Sequence, residues 1–372
     1  MLAFLPIECF VNKQRQPHRN HYFDGSYQRP QDHKYPIGTL IFLDDPHPFF
    51  RHWIVMPTSS TQGMLTDTLR LSLDEAQNQV NTLLLGKEQE VRLAFVALLS
   101  GGHLLLEDLP GLGKTTLAHA LASSLGLTFR RVQFTSDLLP ADVLGISVYN
   151  TQTQQFEFHP GPVFTHVLLA DEINRAPPRT QSALLEAMAE QQVTLDGITR
   201  SLSDPFFVIA TQNPVDLYGT FPLPDSQLDR FLLRLSLGYP NAEAERTLLS
   251  GMDRRELLTH TLPRLTEAEV ILLRKTVLGV HVSDALIEYV QALLLRSRQQ
   301  SGVRVGLSPR AGIALLRAAK AYALLSGREH VLPEDIQELF VSVAGHRLVP
   351  EAETSSTGAA LAQTLLYTVP VD

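Results

Sequence analysis

Two hydrophobic rhythms alternate along the chain from Thr66 onward. Leu73, Ala76, Val80, Leu83 and Leu84 recur at helical spacing, with Ser72 as the predicted cap and Gly86–Lys87 as the break. Val91, Leu93, Ala94, Ala97 and Leu98 predict a second helix. Leu104–Leu106 is different: a short continuous apolar run, the pattern of a strand buried on both faces. Similar strands are predicted at Phe129–Phe134, Val167–Ala170, Phe206–Ala210 and Phe231–Leu237. Between them lie helical patterns, Thr115–Leu125 ending at Gly126, and a short helix from Ser136 or Asp137 to Leu144. Strands alternating with helices predict an α/β fold with a five-stranded parallel sheet. From about Ala242 the strands disappear. Ser283 caps a helix bearing Leu286, Tyr289, Val290, Leu293 and Leu294, Ser308–Pro309–Arg310 reads as the start of another, and a third runs from Pro333 to Ala344. This half predicts a smaller all-α domain.

The first 63 residues break the pattern. They hold His18, His21, His33, His47 and His52 and the chain's single Trp and single Cys, and only Thr39–Leu43 has strand character. The histidine spacings match no ligand pattern and prolines separate them, so an irregular or disordered extension is the reading rather than a metal site. A start of translation at Met64 is the sharper expectation, because the ordered pattern begins directly after it. The chain then divides into an extension (1–63), an α/β core (64–240), a helical lid (241–350) and a tail (351–372).

Composition narrows the function classes. The 372 residues, 44% hydrophobic and 19% charged, suit a globular protein of two domains, and the net charge of −8 argues against a protein-wide nucleic-acid footprint. Cys9 stands alone, which excludes a disulfide framework or Cys-based metal centre and fits a reducing, cytoplasmic setting. The run Val91–Leu106 comes nearest to the roughly 18–20 apolar residues of a membrane span, but Arg92, Gly101, Gly102 and His103 interrupt it. The N-terminus lacks a basic flank and a small-residue cleavage site, so neither export nor membrane insertion is expected.

The chemistry gathers at the ends of the predicted strands. After Leu106 an acidic pair, Glu107–Asp108, leads into a turn rich in Pro and Gly and then into Lys114, Thr115 and Thr116 at a helix start. Successive N–H groups over Pro110, Gly111, Leu112, Gly113, Lys114, Thr115 and Thr116, with the positive end of the helix, suit a polyphosphate. Lys114 reaches the β and γ phosphates in such loops, and the Thr115 hydroxyl ligates Mg²⁺. The pattern GxxxxGK[ST] is imperfect here, with Asp108 at the first glycine. The strand Val167–Ala170 ends in Asp171, able to hold Mg²⁺ through water, and Glu172, able to polarise a water against the γ-phosphate; a solvated acidic turn is the plain alternative. Phe206–Ala210 ends in Thr211–Gln212–Asn213, where an amide can bond the γ-phosphate or the attacking water. Arg230 closes a helix, as an ordinary C-terminal charge or as a finger for a neighbouring subunit's nucleotide. Arg310 at a helix start opposes the macrodipole and calls for an anion, a γ-phosphate or a surface carboxylate.

On these residues the chain resembles an AAA+ ATPase of the MoxR family. The segments that carry the resemblance are EDLPGLGKTTLA (107–118), LLADEINRAPPRTQSALLEAMAEQQVTLDG (168–197), VIATQNP (208–214), GTFPLPDSQLDRF (219–231), LSPRA (307–311) and HRL (346–348), in family order over about residues 65–350. The extension has no counterpart. The resemblance implies an AAA+ P-loop NTPase core with a helical lid. Lys114 and Thr115 then belong to Walker A and Asp171 and Glu172 to Walker B. Asn213 matches sensor 1, Arg230 the finger and Arg310 sensor 2. Ile146–Phe158, alternating around polar Asn150–Gln155, fits the helix-2 insert, and Gln192–Leu202 with an Asp196–Gly197 turn fits the hairpin before sensor 1. The resemblance also implies an ATP- and Mg²⁺-dependent, chaperone-like machine in a ring, a hexamer by analogy. Such machines remodel or mature client proteins with a partner bearing a von Willebrand factor A domain. A magnesium-chelatase-like motor subunit and a DNA-directed, helicase-like motor share this core; the latter is disfavoured because Ile146–Phe158 has no Lys or Arg and Val193–Leu202 only Arg200.

Overall fold

The computed structural model describes residues 65–214, 219–251, 257–258, 261–351 and 357–371. The histidine-bearing extension and Met64 lie outside them.

Helix α1 (Asp67–Leu83) starts six residues earlier than the pattern predicts. Thr66, not Ser72, is its cap, accepting from the Leu69 N–H, and Leu69 joins the buried stripe of Leu73, Ala76, Val80 and Leu83. After α2 (Glu88–Leu99) come β1 (Leu104–Glu107), α3 (Lys114–Ser124), β2 (Phe129–Gln133) and α4 (Pro140–Leu144). Helix α4 begins at Pro140 rather than near Asp137, because the Asp142 carboxylate accepts from the Leu139 N–H and fixes the start there. Two antiparallel hairpins flank the next part: β3 (Gly145–Asn150) with β4 (Gln155–Pro160), and β6 (Gln192–Leu195) with β7 (Ile198–Ser201). Asp196 (φ 53°) and Gly197 (φ 75°) make the tight turn of the second, as the sequence predicts. Between the hairpins lie β5 (Val167–Asp171) and α5 (Pro178–Glu190). β8 (Phe207–Gln212), α6 (Asp225–Leu228) and β9 (Leu233–Leu235) complete the α/β part.

The five core strands form one sheet in the order β2-β5-β8-β1-β9, every pair parallel. Alternate residues of the central strands feed separate cores. Leu104, Leu106, Val167, Leu169, Phe207 and Ile209 face the helices α1–α3 and the lid, while Leu105, Leu168, Ala170, Val208 and Ala210 face α5.

The C-terminal part is helical, as predicted: α7 (Ala242–Ser250), α8 (Glu267–Gly279), α9 (Asp284–Gln299), α10 (Pro309–Leu325) and α11 (Pro333–Ala344). Ser283 and Ser308 cap α9 and α10 through the N–H groups of Leu286 and Ala311. The lid also contains an antiparallel pair, β10 (Val303–Val305) with β11 (Val349–Pro350), too short to leave a period in the sequence. The predicted tail forms α12 (Gly358–Thr368), which buries Leu361, Ala362 and Leu365 in the lid core.

Two buried histidines join these layers. His103 donates from Nε2 to the Met188 carbonyl (3.2 Å) and accepts at Nδ1 from the Val208 N–H (3.1 Å), so it is satisfied only when neutral. Burial pushes its pKa down to about 4. Burial and the neighbouring Arg347 push that of His346 down to about 3. Both therefore stay neutral in the fold while an unfolded chain takes up protons below pH about 6.5. Their stabilisation is complete above that pH and is lost as pH falls toward 4 and 3, at about 1.4 kcal/mol per pH unit for each. Urea unfolding at pH 7 and 4.5 should show the wild type losing about 2–3 kcal/mol more than a His103→Gln variant.

Candidate functional site

Parallel strands end on one edge of the sheet, so the loop after β1, the Asp171–Glu172 pair after β5 and Asn213 after β8 meet there. They line a cleft of about 710 Å³ with Pro110, Gly111, Gly113, Lys114, Thr115 and Thr116. Leu112 is half-buried and does not line it. Gly111 (φ 84°) and Gly113 (φ 93°) take left-handed conformations, and Gly113 caps α3.

Asp108, the departure from the phosphate-loop pattern, is a buried staple. Its Oδ1 accepts from the Leu109 N–H (3.0 Å), and its Oδ2 accepts from the Gly238 N–H (2.8 Å) and the Ser236 hydroxyl (3.2 Å). Its carbonyl receives the Lys114 ammonium at 2.6 Å. A glycine there leaves the loop untied from the strand leading into the lid. Burial lowers the Lys114 pKa, and Asp108, Asp171 and Glu172 oppose the shift.

The carboxylates are held from two directions. The fully buried Thr211 hydroxyl donates to Asp171 Oδ1 (2.6 Å) and accepts from the Glu172 N–H (2.8 Å). This fixes Glu172 in a left-handed conformation (φ 55°, ψ 50°) that a non-glycine residue adopts only under constraint. From the edge strand β2, Arg131 Nη2 bonds Asp171 Oδ2 (2.7 Å) and Gln133 Nε2 donates to Glu172 Oε2 (2.7 Å). Arg175 pairs with the same Glu172 oxygen at 3.1 Å. His119, stacked on Phe129 at 5.0 Å, and Leu258 also line the cleft. Sequence reasoning missed Arg131, Gln133 and His119. The available signal was the polar pair Arg131/Gln133 at alternate positions of a strand, on the face that pairs toward Asp171.

Arg230 and Arg310 are not brought to this cleft. They line another, of about 250 Å³, with Asp229, Arg317 and Arg347. The first cleft shares none of these residues. The carboxylate nearest Arg310 is Asp229, at 4.0 Å from its Nε, and Arg230 donates to the Leu185 carbonyl (2.8 Å).

With this geometry in place the comparisons are specific. Residues 103–233 match the model of the ATPase family associated with various cellular activities (AAA), and residues 295–364 match an AAA lid domain. A crystal structure of a candidate ATPase from Cytophaga hutchinsonii superposes with a TM-score of 0.74 at 36% identity, over 82% of this chain and 96% of that one. The class is thus an AAA-type ATPase. The Mycobacterium tuberculosis chaperone MoxR1 is 38% identical over 79% of each chain, and the Paracoccus denitrificans protein MoxR is 33% identical over 74% of this chain and 87% of its own. An uncharacterised Bacillus subtilis protein, YeaC, is 48% identical over 76% of this chain and 88% of its own. The chain belongs to the MoxR family of AAA+ ATPases.

The Asp108 staple carries its own test. Asp108→Gly restores the usual loop pattern yet removes acceptors from three donors, so it should destabilise the fold by about 2 kcal/mol or more. Urea unfolding of the variant against the wild type measures this.

Proposed function

We propose that this protein hydrolyses ATP within a homo-oligomeric ring, a hexamer in our reading, to remodel or mature client proteins. The observation that carries this reading is the meeting of Lys114, Thr115, Asp171, Glu172 and Asn213 on one cleft under a main-chain loop. The loop N–H groups and the α3 N-terminus receive the phosphates, and Lys114 turns from the Asp108 carbonyl to the β and γ oxygens. Thr115 and Asp171 offer the oxygen donors that Mg²⁺ prefers, and Arg131 now supplies the positive charge on Asp171 that a cation would replace. When bound, Mg²⁺ neutralises the β and γ oxygens during phosphoryl transfer. Glu172 polarises the attacking water, and Asn213 distinguishes the γ-phosphate by hydrogen bonding.

Arg230 and Arg310 share the second cleft, so their route to a phosphate runs through a neighbouring subunit. Both enter the adjacent cleft in trans, Arg230 as the finger and Arg310 beside it from the lid. The two hairpins contact the client. Arg200, their only Lys or Arg, lies over the Phe158 ring at 3.8 Å, which supports a protein rather than a nucleic-acid client. The chaperone MoxR1 relative supports the same choice. The von Willebrand factor A domain partner is carried over from the family resemblance. Among the described residues no helix is long and apolar enough to cross a membrane.

Glu172→Gln should bind ATP and assemble while its turnover falls by about 10² or more; turnover at the wild-type rate removes the water-activating role. Subunits carrying Arg230→Ala, mixed with subunits carrying Lys114→Ala, should recover ATPase activity that neither has alone, measured by phosphate release. A mixture no better than its parts rejects action in trans.

A further inference from the structure

The segment bearing Arg230 is fastened from the lid. Arg347, three residues past the end of α11, has a side chain only 5% exposed, and its guanidinium meets the carbonyls on both sides of Arg230. Nη2 donates to the Asp229 carbonyl (3.3 Å) and the Phe231 carbonyl (2.7 Å), and Nη1 donates to the Leu232 carbonyl (3.1 Å). Nε bonds the Asp229 carboxylate at 2.6 Å. Nη1 also reaches the Val343 carbonyl in α11, so the same group ties the segment to the lid helix. His346 adds its Nε2–H to the Phe231 carbonyl at 3.0 Å. All five guanidinium N–H donors of an arginine lie in one rigid plane, so these bonds fix orientation as well as distance. Arg230 thus sits on backbone held between the lid and the sheet, where the Leu232 N–H donates to the His103 carbonyl at 2.8 Å. Arg310, at the start of α10 in the same lid, faces the same Asp229.

We propose that Arg347 is the positioning residue of the finger. It couples residues 229–232 to the lid, so that lid rotation in one subunit moves Arg230 at the nucleotide of the next. This rests on the reading of Arg230 as a finger acting in trans. Communication around the ring then passes from lid to finger through Arg347, with His346 beside it on the Phe231 carbonyl.

The test is Arg347→Gln in the full chain, with fluorescent-ATP binding and steady-state ATPase measured side by side. Its own cleft is untouched, so nucleotide affinity and KM should stay within about twofold, while kcat falls on the order of 10–100-fold as the finger loses its position. Mixing with Lys114→Ala subunits, which have intact Arg347 and Arg230, should restore turnover. The double variant Arg230→Ala/Arg347→Gln should be no slower than Arg230→Ala alone, because Arg347 acts only through Arg230. Arg347→Lys keeps the charge on Asp229 and loses the planar fork, so it should show the same kcat defect in milder form with a wild-type unfolding curve; it decides the matter should the glutamine variant fail to fold. Wild-type turnover in the folded variant, additive losses in the double variant, or rescue of Arg230→Ala without rescue of Arg347→Gln would each overturn the proposal. If neither variant is rescued by Lys114→Ala, the finger reading itself falls and takes the proposal with it.

Discussion

Everything in this molecule depends on parallel strands buried on both faces. In β1, β5 and β8 the apolar side chains alternate between two cores, so a one-residue slip would move every side chain into the wrong one. Register is therefore set by packing, and the strand ends inherit it. Polar side chains are excluded along the strands and collect where the strands stop. Thr211 shows the consequence. Its hydroxyl, fully buried at the end of β8, accepts from the Glu172 N–H and donates to Asp171 through one atom. The left-handed Glu172 and the orientation of Asp171 meet at that hydrogen-bonded joint, with Arg131 holding the other oxygen of Asp171. Replacing the hydroxyl by a methyl leaves a buried N–H and a buried carboxylate oxygen each short of a partner.

The phosphate loop, the five strands, both hairpins and most caps were legible because each is written in consecutive residues. A strand–turn–helix with Gly111, Gly113, Lys114 and Thr115 is local chemistry, and so is the Asp196–Gly197 turn. What the sequence left open was pairing between distant segments. Arg131 and Gln133 reach the carboxylates only because β2 lies beside β5 with Gln133 opposite Asp171. Asp108 reads as a flaw in a motif until the Gly238 N–H and the Ser236 hydroxyl arrive from a strand far along the chain. The cap of α1 was misplaced because Thr66 and Ser72 offer the same hydroxyl chemistry. The choice falls to Thr66, since starting there adds Leu69 to the apolar stripe. For Arg310 the sequence supplied a cation at a helix start but not the cleft it faces, which is set by how the lid docks on residues 229–232.

The two clefts differ in their charge balance, and that difference gives the proposed assembly a physical reason. In the first, the carboxylates of Asp171 and Glu172 are matched within the chain by Arg131, Arg175 and Lys114 nearby. The second is lined by Arg230, Arg310, Arg317 and Arg347 against the single carboxylate of Asp229. Arg347 already takes Asp229 at 2.6 Å, whereas Arg310 stands off at 4.0 Å, so Arg310 gains little from it. Arg310 also sits where the helix macrodipole is positive. A cationic face of this kind is stabilised by an external anion of high charge, and in the proposed ring the γ-phosphate of a neighbour's ATP is one. On that proposal nucleotide and subunit contact strengthen each other by linkage, because each supplies charge that the other lacks. Loss of the γ-phosphate weakens both at the same place, next to a segment that Arg347 ties to the lid. In the proposed ring, a binding event at one sheet edge is felt at the next subunit by way of residues 229–232.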